Sequence, residues 1–185
     1  MRLTTKRLIL RDITKKDAKD LVRNINNLNV SRNLAAVPYP YTMKDAKWYI
    51  KKQLKEIKEK SRKGYIFVIE LKSKKGLIGA VGLHKVDKFN GTATMGYWLG
   101  QNYWRQGIMY EAACKVLDFA FKNLKLRRID IGAWTKNEKS NGLIKKLGFK
   151  KEGFRRKAIK VKADGIVRDE FIYGMLRNEW KTAEN

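Results

Sequence analysis

Short apolar runs alternate along the chain with segments of helical spacing, a pattern that predicts a mixed α/β fold. Strand-like runs cover residues 7–11, 65–72, 77–83, 92–99, 128–134, 152–161 and 168–176. Two helices are predicted after the Thr-x-x-Asp capping patterns at Thr14 and Thr42, the second ending near Gly64. Two more are predicted at residues 107–124 and 140–147. The predicted order is β-α-α-β-β-β-α-β-α-β-β.

This order predicts the fold class. Strand–helix–strand units between antiparallel hairpins imply one α/β domain with a twisted mixed sheet and helices on both faces. A chain of 185 residues is the size of one domain. We assign residues 7–178 to that domain and residues 179–185 to a C-terminal tail.

The segment 96–113 predicts an anion site, because a strand runs through a polar turn directly into a helix. The strand ends with Tyr97, Trp98 and Leu99, and the turn carries Arg105, Gln106 and Gly107. A helix N-terminus has unpaired backbone N–H groups and a partial positive charge. Gly107 allows close backbone approach, and Arg105 adds a planar donor fork. These features suit a pyrophosphate.

A second strand–helix unit lies at residues 128–149 and carries a polar cluster where its helix starts. Asn137, Ser140 and Asn141 belong to this cluster, and Gly148 and Phe149 follow the helix. Two neighbouring parallel strands that each lead into a helix form a cleft at their C-terminal edge, where ligands bind in open α/β sheets. The two units together predict one ligand site.

Composition narrows the classes of function. Lys and Arg number 43 against 18 Asp and Glu, a net charge of +25, which attracts polyanions or reflects a lysine-rich, solvated surface. Cys114 is the single cysteine, so the chain cannot form an intramolecular disulfide, which is typical of a cytoplasmic protein. Its apolar neighbours on the predicted helix indicate that Cys114 lies in the core. No apolar run approaches the length of a membrane span, and we expect no signal peptide in the first residues. With one histidine, His84, we expect no metal site and interpret His84 as an ordinary strand-end residue.

The chain resembles the GNAT superfamily of acetyl-CoA-dependent N-acetyltransferases, and within it the ribosomal-protein N-terminal acetyltransferase (Rim) branch. The resemblance extends from about residue 8 to residue 176. The segments that carry it are R-L-I-L-R, I-G-A-V-G-L, G-Y-W-L, Y-W-R-Q-G-I-M-Y-E-A, N-E-K-S-N with L-G-F, and D-E-F-I-Y-G-M-L. Their order and spacing are specific, although no single segment is.

The resemblance implies a role for each part of the site. The backbone of Tyr97, Trp98 and Leu99 would pair with the pantetheine arm of coenzyme A, and Asn137 would bind the same region. Ser140 would protonate the leaving thiolate, and a strand N–H near Trp98 would stabilise the oxyanion. Backbone N–H groups would hold the pyrophosphate at Arg105, Gln106, Gly107, Ile108, Met109 and Tyr110.

The chain departs from the family pattern in three respects: the turn before the third helix, the acid position and the base position. Arg105 replaces a usual second glycine, and Met109 replaces a glycine or alanine. Either the Met109 side chain points away from the phosphates, or the loop is somewhat wider than usual. Ile144 stands where many members carry a tyrosine acid. Residues 92–96 contain no carboxylate, and Ile159 occupies the position at which the Rim branch suggests a base.

The general base is therefore left open. Asp87, Glu111, Asp169 or a chain of waters could take the proton, and an amine that arrives neutral needs none. Simpler interpretations also stand for three residues. Ser140 could be only a helix N-cap, and Asn137 only a turn residue. Glu111 is favoured in the first turn of a helix by the dipole alone.

We predict direct transfer of an acetyl group from acetyl-CoA to a primary amine. The favoured acceptor is a protein N-terminus, including that of a ribosomal protein, near ribosome or RNA because of the charge. A small amine, such as an amino acid, a polyamine or an antibiotic, is the alternative acceptor. A silent coenzyme A- or ribosome-binding module is the alternative of another class, and a homodimer is left open. A nucleic-acid-binding protein would rest on charge alone.

Overall fold

The computed structural model describes residues 1–59 and 61–181, and one eight-stranded mixed sheet runs through them. The strands are β1 Arg2–Thr4, β2 Leu8–Arg11, β3 Tyr65–Leu71, β4 Lys74–Asp87, β5 Thr92–Leu99, β6 Arg128–Trp134, β7 Lys150–Lys160 and β8 Val167–Leu176. They lie in the order β1-β2-β3-β4-β5-β6-β8-β7. Neighbouring strands are antiparallel except β5 and β6, which are parallel. The predicted mixed sheet is confirmed.

Helices cover both faces of this sheet. They are α1 Ala18–Ile25, α2 Leu28–Ser31, α3 Met43–Ile57, α4 Ile108–Asp118 and α5 Glu138–Lys146. The predicted capping box starts α3: the Thr42 N–H donates to the Asp45 carboxylate at 2.9 Å, and the Thr42 hydroxyl accepts from the Asp45 N–H at 3.4 Å. A π-helical turn, Phe119–Asn123, extends α4.

Each face of the sheet has its own apolar core. On one face α4 and α5 pack over buried strand residues such as Phe67, Met95 and Ile129. On the other face α1 and α3 pack over Val68 and Leu77. We call these the α4/α5 face and the α1/α3 face. The two faces are distinguished because a ligand that enters between two strands can contact side chains on both faces of the sheet.

The parallel strands β5 and β6 pair only near their starts. The paired residues are Thr92 with Arg128, Ala93 with Ile129 and Thr94 with Asp130. Beyond them β5 continues to Leu99 and β6 to Trp134, and the two strands separate. We call the opening between residues 95–99 and residues 131–134 the β5–β6 slot. The edge of β5 along the slot leaves backbone groups available to a ligand.

Several predicted bounds were wrong, and most errors involve short or lysine-rich segments. The sequence analysis missed β1 and α2, which are three and four residues long and too short for a periodic pattern. Helix α3 ends at Ile57 rather than near Gly64. Strand β4 continues to Asp87, so His84 lies within the strand rather than at its end. The bounds of β5 and β6 match the prediction.

The end of the chain is attached to the domain as far as it is described. The Trp180 indole N–H donates to the Asp118 carboxylate of α4 at 3.0 Å, and Trp180 packs against the core. The start of the predicted tail, residues 179–181, is therefore anchored by Trp180. Residues 182–185 of that tail lie outside the described residues.

Candidate active site

The start of α4 has the geometry of an anion site. Gly107 is the N-cap and adopts a left-handed conformation with φ 72°. The Glu111 N–H donates to the Gly107 carbonyl at 3.1 Å and closes the first helical turn. The N–H groups of Ile108, Met109 and Tyr110 precede that bond, so they have no partner within the helix. They can bind an anion at the end of the β5–β6 slot.

Arg105 and Met109 explain how the turn tolerates its two departures from the family pattern. Arg105 is exposed and has φ 61°, a left-handed conformation that glycine adopts without strain. Met109 is 8% exposed and lies in the core of the α4/α5 face. The Met109 side chain therefore points away from the turn, the first of the two expected alternatives, and only its backbone faces an anion.

The turn is braced from below by Arg7 of the loop between β1 and β2. The Arg7 guanidinium donates from Nε to Glu111 at 2.6 Å and from Nη1 to the Gln106 carbonyl at 3.0 Å. Glu111 also accepts from Thr5 Oγ1 at 2.5 Å. Burial opposes ionisation of Glu111, but these hydrogen bonds outweigh it and hold its pKa below the ordinary value. Glu111 is thus occupied as a structural anchor.

Asn137, and not Ser140, caps α5. The Asn137 side-chain oxygen accepts from the Ser140 N–H at 3.1 Å, which makes Asn137 the N-cap residue. The interpretation of Ser140 as the N-cap is therefore wrong. Asn137 has the structural role at the start of the helix. The cap leaves the Ser140 hydroxyl available for other contacts.

Asn141 attaches the start of α5 to the sheet. Its side-chain N–H donates to the Trp134 carbonyl at 2.9 Å, and its oxygen accepts from the Tyr173 hydroxyl at 2.8 Å. Asn141 is 8% exposed. A buried, fully bonded network of this kind is rigid, so it fixes the position of Ser140. The sequence analysis named Asn141 only as a member of the polar cluster.

Tyr97 of β5 reaches across the slot to Ser140 of α5. The Tyr97 hydroxyl lies 2.9 Å from Ser140 Oγ. Burial raises the pKa of Tyr97 to about 12, although the hydrogen bond with Ser140 acts in the opposite direction. Tyr97 is therefore a neutral hydroxyl at pH 7 and can donate to Ser140. The resemblance implied only a backbone role for Tyr97, so this side-chain contact is new information.

The strand edge predicted to bind pantetheine lies along the slot. Trp98 and Leu99 follow Tyr97 on β5, beyond the last residue paired with β6. The Leu99 carbonyl accepts from the Trp104 indole N–H at 2.7 Å, so one acceptor of this edge is already used. Trp104 and Tyr103 pack against the core at the rim of the slot.

The three carboxylates proposed as bases are all engaged elsewhere. Glu111 binds Arg7 and Thr5. Asp87 accepts from the Asn90 N–H at 2.9 Å and shapes the turn between β4 and β5. Asp169 accepts from the Lys157 N–H at 2.7 Å. None of these contacts involves the slot.

Three further residues singled out in the sequence are wholly or partly buried. Ile144 is fully buried, and Ile159 lies half-buried on β7. Cys114 is buried in the core of the α4/α5 face, as predicted. Within residues 1–59 and 61–181, no His, Cys, Asp or Glu cluster has the size needed to hold a metal ion. No described helix has the length and apolarity needed to cross a membrane.

The fold and the site together define a class: an α/β domain whose mixed sheet opens between two diverging parallel strands beside an anion-binding helix start. The match to the GNAT acetyltransferase domain spans residues 7–150. The chain belongs to the GNAT acetyltransferase family and is an acetyl-CoA-dependent N-acetyltransferase.

Two relatives show the range of similarity. The chain is 31% identical over 180 residues to "Uncharacterized N-acetyltransferase p20" of Bacillus licheniformis, covering 96% of this chain and 97% of the relative. It is 26% identical over 184 residues to "[Ribosomal protein uS5]-alanine N-acetyltransferase" of Escherichia coli (strain K12), covering 97% and 93%.

Solved structures agree with the fold. The ribosomal-protein-S5-alanine acetyltransferase from Vibrio fischeri has a TM-score of 0.83 at 23% identity, covering 98% of this chain and 99% of that chain. The Microcin C7 self-immunity acetyltransferase MccE, solved with acetyl-CoA and AMP, has a TM-score of 0.80 at 27% identity, covering 93% of each chain. Acetyl-CoA is accordingly the acyl donor of this family.

Proposed function

We propose that the acceptor is a protein N-terminus, with ribosomal proteins as the favoured substrates. One observation carries this choice: similarity over nearly the whole chain to a relative named as an alanine N-acetyltransferase of ribosomal protein uS5. The identity is 26%, so the relative supports the acceptor class and not a particular substrate. A panel of amine acceptors can distinguish this acceptor class from the small amines.

The distribution of charge supports an acceptor close to RNA. Strand β7 forms one edge of the sheet, and its exposed residues include six Lys or Arg: Lys150, Lys151, Arg155, Arg156, Lys157 and Lys160. Within residues 1–59 and 61–181, ion pairs with acids involve only Lys150 and Arg155 among these six. A basic, exposed edge attracts the phosphate backbone of ribosomal RNA, and we therefore place the enzyme in the cytoplasm near ribosomes.

The proposed binding mode for acetyl-CoA uses backbone groups. N–H groups from Arg105 to Tyr110 hold the pyrophosphate, and the exposed Arg105 side chain adds charge. The β5 edge at Tyr97, Trp98 and Leu99 pairs with the pantetheine arm, and Asn137 contacts the same arm. This arrangement places the thioester in the slot beside Ser140.

The proposed chemistry is direct transfer. The neutral amine nitrogen attacks the thioester carbonyl carbon, and a β5 N–H near Trp98 stabilises the oxyanion. When the carbon–sulfur bond breaks, Ser140 Oγ gives its proton to the thiolate, while Tyr97 donates to Ser140 Oγ. The product nitrogen loses its extra proton, which restores the Ser140 hydroxyl. Holding both substrates in one slot supplies much of the rate acceleration.

Acetyl transfer measured on a panel of acceptors tests the proposal. The panel contains peptides with N-terminal Ala or Ser, polyamines, free amino acids and an aminoglycoside. Thiol release measures the rate, and mass spectrometry locates the acetyl group. We expect the highest kcat/KM with peptides, and α-amino acetylation. A higher kcat/KM with any small amine would overturn the acceptor assignment.

A further inference from the structure

Two glycines lie level with each other where the β5–β6 slot begins. Gly96 and Gly132 each come two residues beyond the last paired residues, Thr94 and Asp130. Side chains alternate between the two faces of a strand, and the neighbours Met95 and Ile131 are buried on the α4/α5 face. A side chain at either glycine would therefore lie on the α1/α3 face. The space above each glycine holds a titratable side chain from the adjacent strand.

Glu170 of β8 occupies the space above Gly132. A Cβ atom built on Gly132 would overlap Glu170 Oε1, so the carboxylate fills the place of a side chain. Glu170 is 8% exposed. Its Oε2 binds Arg155 of β7, which leaves Oε1 directed over the strand beside the slot. The strand partner of Glu170 is Trp134, which forms the end of β6.

His84 of β4 occupies the corresponding space above Gly96. A Cβ atom on Gly96 would lie 3.3 Å from His84 Nε2. Burial lowers the pKa of His84 below 6.5; nearby Lys52 and Lys85 act in the same direction, and Glu56 opposes them. The imidazole is therefore neutral at pH 7 and can accept a proton.

The two side chains stand on the opposite face from Ser140. Helix α5, which carries Ser140, packs on the α4/α5 face. At Thr94 and Asp130 the two strands are still paired, at the usual spacing of about 4.8 Å. Two residues further on they have begun to separate, which opens room between the two side chains. An amino group that enters the start of the slot on this face therefore lies between His84 on the β4 side and Glu170 on the β8 side.

We propose that the acceptor ammonium binds between His84 and Glu170, where Glu170 Oε1 holds it and His84 Nε2 removes its proton. The N–H bond breaks, the imidazole becomes imidazolium, and the free amine forms a carbon–nitrogen bond with the thioester carbon. The carbon–sulfur bond then breaks, Ser140 protonates the thiolate, and the product nitrogen returns a proton to Ser140. The imidazolium releases its proton to water. This inference rests on the proposed position of the thioester in the slot.

The chain offers a matched control for Glu170. Glu152 of β7 also binds an arginine, Arg128, and also lies over a glycine, with Oε1 2.6 Å from a Cβ atom built on Gly174. Gly174 is the strand partner of Asp130, at the closed end of β5 and β6. Glu152 therefore reproduces the ion pair and the position over a glycine away from the slot, although it is exposed where Glu170 is buried.

Steady-state kinetics with the best amine of the panel tests the assignment. We expect Glu170→Gln to raise the KM of the amine at least about 10-fold without changing the KM of acetyl-CoA. We expect His84→Gln to lower kcat about 100-fold and to remove the acid limb of kcat/KM, which in the wild type lies below about pH 6.5. Glu152→Gln should leave all three quantities within about twofold. Wild-type-like kinetics in both Glu170→Gln and His84→Gln would overturn the proposal.

The single histidine allows a test that does not depend on turnover. With coenzyme A bound, adding the amine should shift the ring proton resonance of His84 in the wild type and in Glu152→Gln, but not in Glu170→Gln. If Glu170→Gln does not fold, Gly132→Ala displaces the carboxylate instead, and Gly174→Ala is its control. An unchanged His84 resonance in the wild type at saturating amine would reject the site.

These experiments separate the site from the acceptor class. Preference for a polyamine overturns the peptide proposal, yet the same changes in amine KM and in the His84 resonance would still support the site. Preference for peptides, with no change in either variant, overturns the site alone.

Discussion

The Tyr97 hydroxyl lies 2.9 Å from Ser140 Oγ and joins β5 to the first turn of α5 across the slot. The contact is held from both sides. Tyr97 lies on a strand paired with β4, and Ser140 is fixed by the Asn137 cap and the Asn141 network. A serine hydroxyl that accepts from Tyr97 keeps its own proton directed elsewhere, which is what protonation of a thiolate requires.

This relationship predicts different effects for the two hydroxyls. Ser140→Ala should lower kcat about 100-fold, because the leaving thiolate loses its proton donor. Tyr97→Phe should lower kcat about 10-fold, because Ser140 remains but is no longer oriented. Thiol release under saturating substrates measures both. A Tyr97→Phe loss larger than that of Ser140→Ala would instead make Tyr97 the acid.

The left-handed conformation of Arg105 predicts opposite effects on stability and binding. Arg105→Gly should raise the free energy of unfolding by about 1 kcal/mol, because glycine adopts φ 61° without strain. The same change should weaken coenzyme A binding about fivefold through loss of the charge. Thermal unfolding and calorimetry measure the two effects. Arg105→Ala is the control, since it removes the charge but keeps the strain.

Glu111 should prove structural and not catalytic. Glu111→Gln weakens the contacts of Arg7 and Thr5, so we expect a loss of about 1–3 kcal/mol in the free energy of unfolding. The pH dependence of kcat/KM should stay that of the wild type. A lost acid limb in Glu111→Gln would contradict this prediction and return Glu111 to the list of bases.

At low pH, protonation of Asp17 should weaken the hydrogen bonds that attach the start of α1 to Arg11. Burial would raise the pKa of Asp17, but hydrogen bonds from Arg11, at 2.7 Å and 2.9 Å, and from Thr14 outweigh it and lower the pKa. The stabilisation is therefore complete above the unfolded pKa of about 3.9 and is lost as pH falls through the lower folded pKa.

Substitution of Asp17 isolates this effect. Asp17→Asn should cost about 2 kcal/mol near pH 7, where it removes the charge that binds Arg11. The difference from the wild type should shrink below about pH 4, where the wild-type carboxylate itself becomes protonated. Urea unfolding at several pH values measures the difference. A difference that stays constant down to about pH 3 would show that Asp17 acts through packing alone.

Local signals accounted for most of the fold. The bounds of β5 and β6 and the start of α4 followed from apolar periodicity and from the glycine at the helix start. The sequence did not predict the short elements β1 and α2, because they form through pairing and packing and have no periodic pattern of their own. The same reason limits the site: residue types at helix starts are visible in a sequence, but their partners from distant strands are not.

The sequence by itself determined the family, the glycine turn that starts α4 and the polar start of α5, because each is encoded in contiguous residues with a fixed local conformation. Only the tertiary structure decided that Tyr97 contacts Ser140, that Glu111 belongs to Arg7, and that His84 and Glu170 stand over Gly96 and Gly132. These contacts join residues separated by up to 104 positions. They depend on the order and divergence of the strands, which bring distant parts of the chain to one edge of the slot.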